Sequence, residues 1–360
     1  MKILNIVGAR PNFMKVAPVH EALLAAGHDA KLIHTGQHYD ANMSKVFFDQ
    51  LGMPKPDENL GVGSASHAVQ TAHIMEAFEP LVMRHEPDLV LVAGDVNSTI
   101  ACALVAVKLH VRVAHLEAGL RSYDRRMPEE INRVLTDQIS EILLTPSPDA
   151  DDNLRHEGIA GEKIHRVGNA MIDSLRKHLD AARATEAVEN QGLDPGGYAL
   201  TTLHRAENVD DPAILERLLR ALAEVATDIP VVFPIHPRTK KRIDELGLRD
   251  AARGVRLLEP LGYLEFLALQ ADAKLILTDS GGIQEESTAL GIPCLTMRDN
   301  TERPITVTEG TNTLVGTDPA VLLKEAQAIL EIGGKRGRIP ELWDGAAAER
   351  VAVVIGRSVA

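Results

Sequence analysis

Short, uninterrupted apolar runs recur along this chain between longer amphipathic stretches, and no other feature restricts its fold as strongly. Runs that read as strands begin at Lys2, Asp29, Asp88, Val111, Glu141 and Ile164, and in a second series at Tyr198, Val231, Val255, Lys274, Pro293 and Asn312. Most are about 5–8 residues long, rich in Val, Ile and Leu, and bounded by Gly, Pro or Asp. A strand wetted on one face alternates apolar and polar residues. A strand that is apolar throughout is covered on both faces, which a parallel sheet between helices provides. The intervening segments carry the matching helical period: from Asp211 to Thr227, Ile214, Leu215, Leu218, Leu219, Leu222 and Val225 fall on one face.

The expected fold class is therefore α/β, with two Rossmann-like parallel-sheet domains facing a central cleft. A length of 360 residues agrees with about two domains. The stretch from Leu175 to Gly197 is polar, rich in Ala and Glu, and closes on Gly192, Pro195, Gly196 and Gly197, as a helix followed by a linker would. The expected division is an N-terminal domain, 1–170, and a C-terminal domain, 171–345, with a helical tail, 346–360, packing back on the first.

Charge and cysteine usage remove several function classes. Lys and Arg number 38 against 51 Asp and Glu, a formal charge of −13, so no chain-wide basic footprint for nucleic acid exists. An anionic ligand would need a local cluster of Arg, Lys or His. Cys102 and Cys294 form neither a CxxC pair nor a disulfide framework, which fits a reducing cytoplasm. No apolar run reaches the ~18 residues of a membrane helix, and Met1–Arg10 reads as a first strand and turn rather than a secretory signal. His34 and His38 are four apart, but Gly36 and the strand-to-loop setting argue against a helical metal site. Among 14 histidines such spacings arise by chance, and no metal is expected.

In open α/β sheets ligands bind beyond the carboxyl ends of the strands, so the residues that follow each run matter most. In the first half these are Gly8-Ala9-Arg10-Pro11 with Lys15, Thr35-Gly36-Gln37-His38, Gly94-Asp95, and His115-Leu116-Glu117. In the second they are His204-Arg205 with Glu207-Asn208, His236-Pro237-Arg238, and Asp279-Ser280-Gly281-Gly282. Charged groups and glycines thus gather on one edge of each sheet, as expected for a ligand held in a cleft between the domains.

Two readings stand at several of these positions. Asp279 to Glu286 runs from a strand end through two glycines into a helix. Its free N–H groups and dipole would suit a diphosphate, with Glu286 one turn on accepting ribose hydroxyls. An ordinary βα turn with a solvated glutamate fits equally well. No GxGxxG is present, so no dinucleotide cofactor is indicated. Arg10, Lys15 and Arg303 either neutralise a diphosphate or are surface charges. Asp95 and Glu117 follow strands directly. Glu129 and Glu130 follow Pro128, where acidic residues complement a helix dipole; alternatively they join a carboxylate cluster around a sugar ring.

Seven separated segments, in order, resemble those of the non-hydrolysing UDP-N-acetylglucosamine 2-epimerases. They are Gly8-Ala9-Arg10-Pro11 with Lys15; Gly94-Asp95; His115 through Arg121; Pro128-Glu129-Glu130 with Asn132-Arg133; His204-Arg205 with Glu207-Asn208; Asp279 through Glu286; and Arg298-Asp299 with Thr301 through Pro304. The resemblance covers nearly the whole chain. It implies a fold of the glycosyltransferase-B type and the interconversion of UDP-GlcNAc and UDP-ManNAc without a cofactor. The implied route is anti elimination of UDP to a 2-acetamidoglucal and re-addition on the other face of C2.

By motif, the resemblance makes Asp95, Glu117, Glu129 and His204 the catalytic residues. It places Arg10, Lys15, Arg133, Phe266, Ser280, Gly281, Gly282, Glu286 and Arg303 on the UDP-sugar, with Phe266 beside the uracil. Gln37, His38 and Gln70 match in part the residues with which members bind a second UDP-GlcNAc as activator. A homodimer is implied as well. Three other functions remain open at this point: 2-epimerisation of a modified UDP-sugar such as a 2,3-diacetamido uronate, glycosyl transfer, and UDP-sugar sensing without catalysis.

Overall fold

The computed structural model describes residues 1–36 and 54–358, with the side chains of Arg10 and Pro11 outside that description. Gln37 and His38 lie outside the described residues. The chain divides into two compact units, 1–177 with 341–360, and 178–340.

The first unit contains β1 (Lys2–Val7), β2 (Asp29–His34), β3 (Glu58–Asn59), β4 (Leu89–Ala93), β5 (Arg112–Leu116), β6 (Ile142–Thr145) and β7 (Ile164–Arg166). They form one sheet in the order β3-β2-β1-β4-β5-β6-β7, with every pairing parallel. The second unit contains β8 (Ala199–Thr202), β9 (Val231–Pro234), β10 (Arg256–Leu258), β11 (Leu275–Thr278), β12 (Cys294–Thr296) and β13 (Asn312–Leu314). Their order is β10-β9-β8-β11-β12-β13, again all parallel. The expected strands are all present. β3 was not expected, because two polar residues leave no apolar run; it is held by its pairing with β2.

The central apolar runs are buried on both faces, as their composition requires, whereas the edge strands β7 and β10 are half-buried and largely exposed, respectively. Every residue of β4 is buried, with Ile74, Phe78 and Leu81 of the helix His67–His85 and Ala101, Cys102 and Val105 of the helix Asn97–Lys108 in the same core. In the second unit the helix Pro212–Val225 buries Leu215, Leu218, Leu219, Leu222 and Val225 against β8, β9 and β11. Each such leucine contributes about 2 kcal/mol of transfer free energy. Asp211 starts that helix by accepting from the amides of Ala213 (2.9 Å) and Ile214 (3.1 Å). Both cysteines are buried thiols, and burial pushes Cys294 up to about 11. Among the described residues no helix is long and apolar enough to cross a membrane.

The division between units falls at Lys177–His178, inside the helix Ala170–Arg183 rather than at its first residue, and the chain rejoins the first unit at Glu341 rather than at 346. The reason is local. Asp173, in the first turn of that helix, accepts from the amides of Ala347 (3.2 Å) and Ala348 (2.7 Å) and so starts the last helix, Ala347–Arg357. Trp343 is buried in the first unit, its indole N–H 3.0 Å from the Pro146 carbonyl.

In each sheet the strand order reverses beside the first strand, between β1 and β4 and between β8 and β11. Those two reversals are where open α/β sheets hold ligands, beyond the strands' carboxyl ends.

Candidate active site

At the reversal of the first sheet, β1 leads into the helix Arg10–Ala25, which carries Lys15. Gly8 passes so close to the neighbouring helix that a Cβ on it would lie 2.2 Å from Ser98 Oγ. β4 leads into Gly94 and Asp95, and β5 into Glu117. Lys15 and Glu117 are both buried, and Lys15 Nζ pairs with Glu117 Oε2. Gly94 has φ +66°, and a Cβ there would sit 3.2 Å from Glu117 Oε2 and 3.3 Å from Asn12 Nδ2. A glycine therefore keeps both the turn and the room for the ion pair. Asp95 Oδ2 accepts from Arg133 Nε (3.0 Å) and Nη2 (2.7 Å). Arg133 is buried, while the Asp95 side chain stays 27% exposed and so accessible to a ligand.

The neighbouring glutamates on the helix Pro128–Ile139 differ. Glu130 is buried and accepts from the amides of Tyr123 (2.8 Å) and Ser122 (3.0 Å), from Ser122 Oγ (3.0 Å), and from Arg133. It pins the preceding loop to the helix. Glu129 lies half-buried in the first helical turn, with no hydrogen bond or ion pair among the described residues. Gln70 is buried, accepting from Asn97 Nδ2 (2.8 Å) and donating to the Gly63 carbonyl (2.9 Å).

At the reversal of the second sheet, β8 leads to His204 and β11 to Asp279. Asp279 is fully buried; it faces His204 Nδ1 at 2.8 Å and accepts from the amides of His204 and Arg205, each 2.9 Å from Oδ2. Burial alone would raise its pKa, but the His204 bond and charge and these amides outweigh it and hold Asp279 below the usual carboxylate range. The His204 side chain remains 44% exposed.

The helix Gly281–Leu290 starts beside this pair, and Ser280 makes no side-chain cap to it. Its first N–H groups and the helix dipole favour an anion. A Cβ on Gly281 would stand 2.5 Å from Arg303 Nη1 and 2.8 Å from Glu302 Oε1, so the missing side chain admits Arg303 to the helix terminus. Arg303 is buried, paired with Glu302, and its Nε lies 2.9 Å from Glu285 Oε1. Glu302 also meets Arg298 Nη2 (2.9 Å) and Arg205 Nη2 (3.3 Å). Glu286, further along the helix, is buried; burial, aided by the charge of Glu285, pushes it up to about 7. Tyr263 Oη donates to its Oε1 at 3.4 Å. Phe266, on the helix Tyr263–Ala271, packs half-buried against the cluster of Leu200, Leu269 and Ile283. Ser280 and Gly282 are half-buried.

The structure thus gathers Lys15, Asp95, Glu117 and Arg133 at one reversal, and His204, Ser280, Gly281, Gly282 and Arg303 at the other. Glu302, which gathers Arg303, Arg298 and Arg205, was not singled out from sequence as a site residue. Its partners Arg303 and Arg298 are one and four residues away, but Arg205 lies 97 positions away and no local pattern connects the two.

Carboxylates at one sheet reversal, with a glycine-rich helix start, a histidine and arginines at the other, define the class: a two-domain α/β enzyme of the glycosyltransferase-B type. Residues 21–356 match the family model for UDP-N-acetylglucosamine 2-epimerase. The chain is 45% identical over 363 residues to the UDP-N-acetylglucosamine 2-epimerase of Methanocaldococcus jannaschii, covering 99% of each. It matches the crystal structure of the M. jannaschii UDP-GlcNAc 2-epimerase in complex with UDP-GlcNAc and UDP with a TM-score of 0.92, at 45% identity, over 99% of this chain and 100% of that one. It is also 47% identical over 334 residues, 92% of each, to the UDP-2,3-diacetamido-2,3-dideoxy-D-glucuronate 2-epimerase of Pseudomonas aeruginosa. The chain belongs to the UDP-N-acetylglucosamine 2-epimerase family.

Proposed function

We propose that this protein is an isomerase that interconverts UDP-GlcNAc and UDP-ManNAc by inverting C2 of the sugar. The second unit binds the uridine diphosphate: Ser280, Gly281, Gly282 and Arg303 take the diphosphate with His204, Glu286 the ribose, and Phe266 the uracil. Arg10 and Lys15 of the first unit add positive charge. Departure of UDP builds positive charge at C1, which acidifies the C2 proton. A carboxylate removes that proton, the C–H electrons form a C1–C2 double bond, and the C1–O pair leaves with UDP. On return, an acid delivers a proton to the opposite face of C2 and a UDP oxygen re-attacks C1. Asp95, Glu117 and Glu129 supply the acid and base. Cationic groups and a helix terminus stabilise the leaving diphosphate.

The observation that carries this reading is the placement of Asp95 and Glu117 after adjacent strands at one reversal, each against its own cation. Buried ion pairs contribute little to stability relative to apolar packing, so two at a ligand-binding edge favour chemistry. The test is incubation with UDP-GlcNAc in D2O without acceptor. Deuterium at C2 and appearance of UDP-ManNAc are expected. UDP release only with an acceptor would mean a transferase, and binding without exchange a sensor. Asp95→Asn and Glu117→Gln are expected to slow turnover by about 10²–10⁴-fold while leaving UDP binding intact. The Pseudomonas relative supports a second reading, the same chemistry on a 2,3-diacetamido uronate, which faster turnover of that UDP-sugar would establish.

A further inference from the structure

A chain of buried charged groups lies in the first unit, and the proposed reaction makes no use of it. The ring of His115, on β5, is fully buried; Nδ1 lies 2.6 Å from Asp137 Oδ1 and Nε2 lies 2.8 Å from the Gly94 carbonyl. The ring thus bridges the Asp137 carboxylate and the Gly94 carbonyl. Asp137, in the helix Pro128–Ile139, is fully buried as well, and its Oδ2 accepts from the Gly119 amide (3.1 Å) and faces Arg121 Nη2 at 2.7 Å. Arg121 is gripped in turn by Glu157, Nε to Oε1 and Nη2 to Oε2, both 2.7 Å. Burial would raise Asp137, but the charges and bonds of His115 and Arg121 outweigh it and hold it below the usual carboxylate range.

One carboxylate therefore reaches two loops. Through His115 it holds the carbonyl of Gly94, the residue before Asp95. Directly, it holds the amide of Gly119, shortly after Glu117. Both loops are conformationally demanding: φ is +66° at Gly94, +68° at Glu117 and +83° at Gly119. A left-handed glutamate is strained and persists only where its surroundings impose it. Gly119 is further confined, since a Cβ there would lie 2.4 Å from the Ala150 carbonyl oxygen.

We propose that Asp137, acting directly and through His115, is the positioning residue that sets the spacing of Asp95 and Glu117. The inference rests on the proposed epimerisation, which gives those two carboxylates their roles. Asp137 touches no substrate; its effect is exerted on backbone.

The test compares the wild type with Asp137→Asn, His115→Asn and His115→Gln. Asparagine at 115 keeps a donor near the Nδ1 position and loses the hold on Gly94; glutamine keeps a donor near the Nε2 position. Asp137→Asn and His115→Asn should lower kcat by about 100-fold, the scale of an ångström-sized misplacement. KM and the Kd for UDP should stay within about threefold in both, as the uridine diphosphate contacts proposed for the second unit are untouched. His115→Gln should return kcat to within about tenfold of wild type. A folded Asp137→Asn enzyme with kcat near wild type would overturn the proposal. So would kcat, KM and UDP affinity failing together, or loss of fold in all three variants, either of which reduces the network to a structural support. If the wild type itself shows no exchange at C2, the proposed function fails and the positioning role falls with it. Exchange in the wild type with an unaffected Asp137→Asn defeats only the positioning role.

Discussion

The imidazole Nδ1 of His204 stands 2.8 Å from Oδ1 of the fully buried Asp279, linking the ends of β8 and β11. The carboxylate also takes the amides of His204 and Arg205, so one side chain orders the loop and orients the ring. Asp279→Asn should cost about 2–3 kcal/mol in urea unfolding at pH 7 and weaken UDP binding. The sign of the pH effect follows from the depressed folded-state value. The stabilisation is present above the ordinary 3.8 and disappears as pH falls through the lower folded value. Unfolding curves of wild type and variant should accordingly converge towards pH 3. An undiminished difference there would contradict the ionised pair.

Glu286 behaves in the opposite sense. Its folded value is raised from 4.5 to about 7, first by burial and then by Glu285. Ionising it in the folded protein is unfavourable, so its contribution to stability is intact below pH 4.5 and declines as pH climbs towards 7. Glu286→Gln should raise the Tm of the ligand-free protein at pH 8 and leave it nearly unchanged at pH 4. If ribose hydroxyls donate to the carboxylate, wild-type UDP affinity should strengthen from pH 6 to pH 8, and the glutamine variant should show a flat profile by calorimetry.

Gly281→Ala tests the admission of Arg303 to the helix terminus. The new methyl would meet Arg303 Nη1 at 2.5 Å and Glu302 Oε1 at 2.8 Å, and both side chains are buried and paired. Helix propensity alone would favour alanine by about 1 kcal/mol. The expected outcome is therefore a small change in Tm with at least about a tenfold loss of UDP affinity, because the guanidinium must move. Unchanged affinity in a titration would show that Arg303 does not serve the diphosphate from this position.

Glu129 and Glu130 should separate chemistry from architecture. Glu130→Ala removes the acceptor of Nη1 of buried Arg133, which keeps Asp95, and of the amides of Ser122 and Tyr123, at a cost of about 3 kcal/mol. Glu129→Gln should leave unfolding within about 0.5 kcal/mol of wild type and reduce turnover. A destabilised Glu129→Gln, or one with full activity, would remove Glu129 from the acid and base set.

The strands, their parallel pairing class and the edge on which charged groups collect were legible in the sequence because each depends on short-range pattern. An apolar run covered on both faces, a glycine where β4 turns and a helix after Gly281-Gly282 are local facts about composition. β3 escaped because its strand character comes only from its neighbour. Which charge meets which was decided by tertiary structure alone. Lys15 finds Glu117 across 102 positions and Asp279 finds His204 across 75, and no periodicity records such distances. The adjacent Glu129 and Glu130 are chemically identical, yet about 100° of helical rotation puts only one against Arg133 and the loop. Arg121 is likewise a plain cation in the sequence; packing spends it inside, on Asp137 and Glu157. Burial converts such contacts into fixed geometry, because a charge removed from water must be paired where it lies.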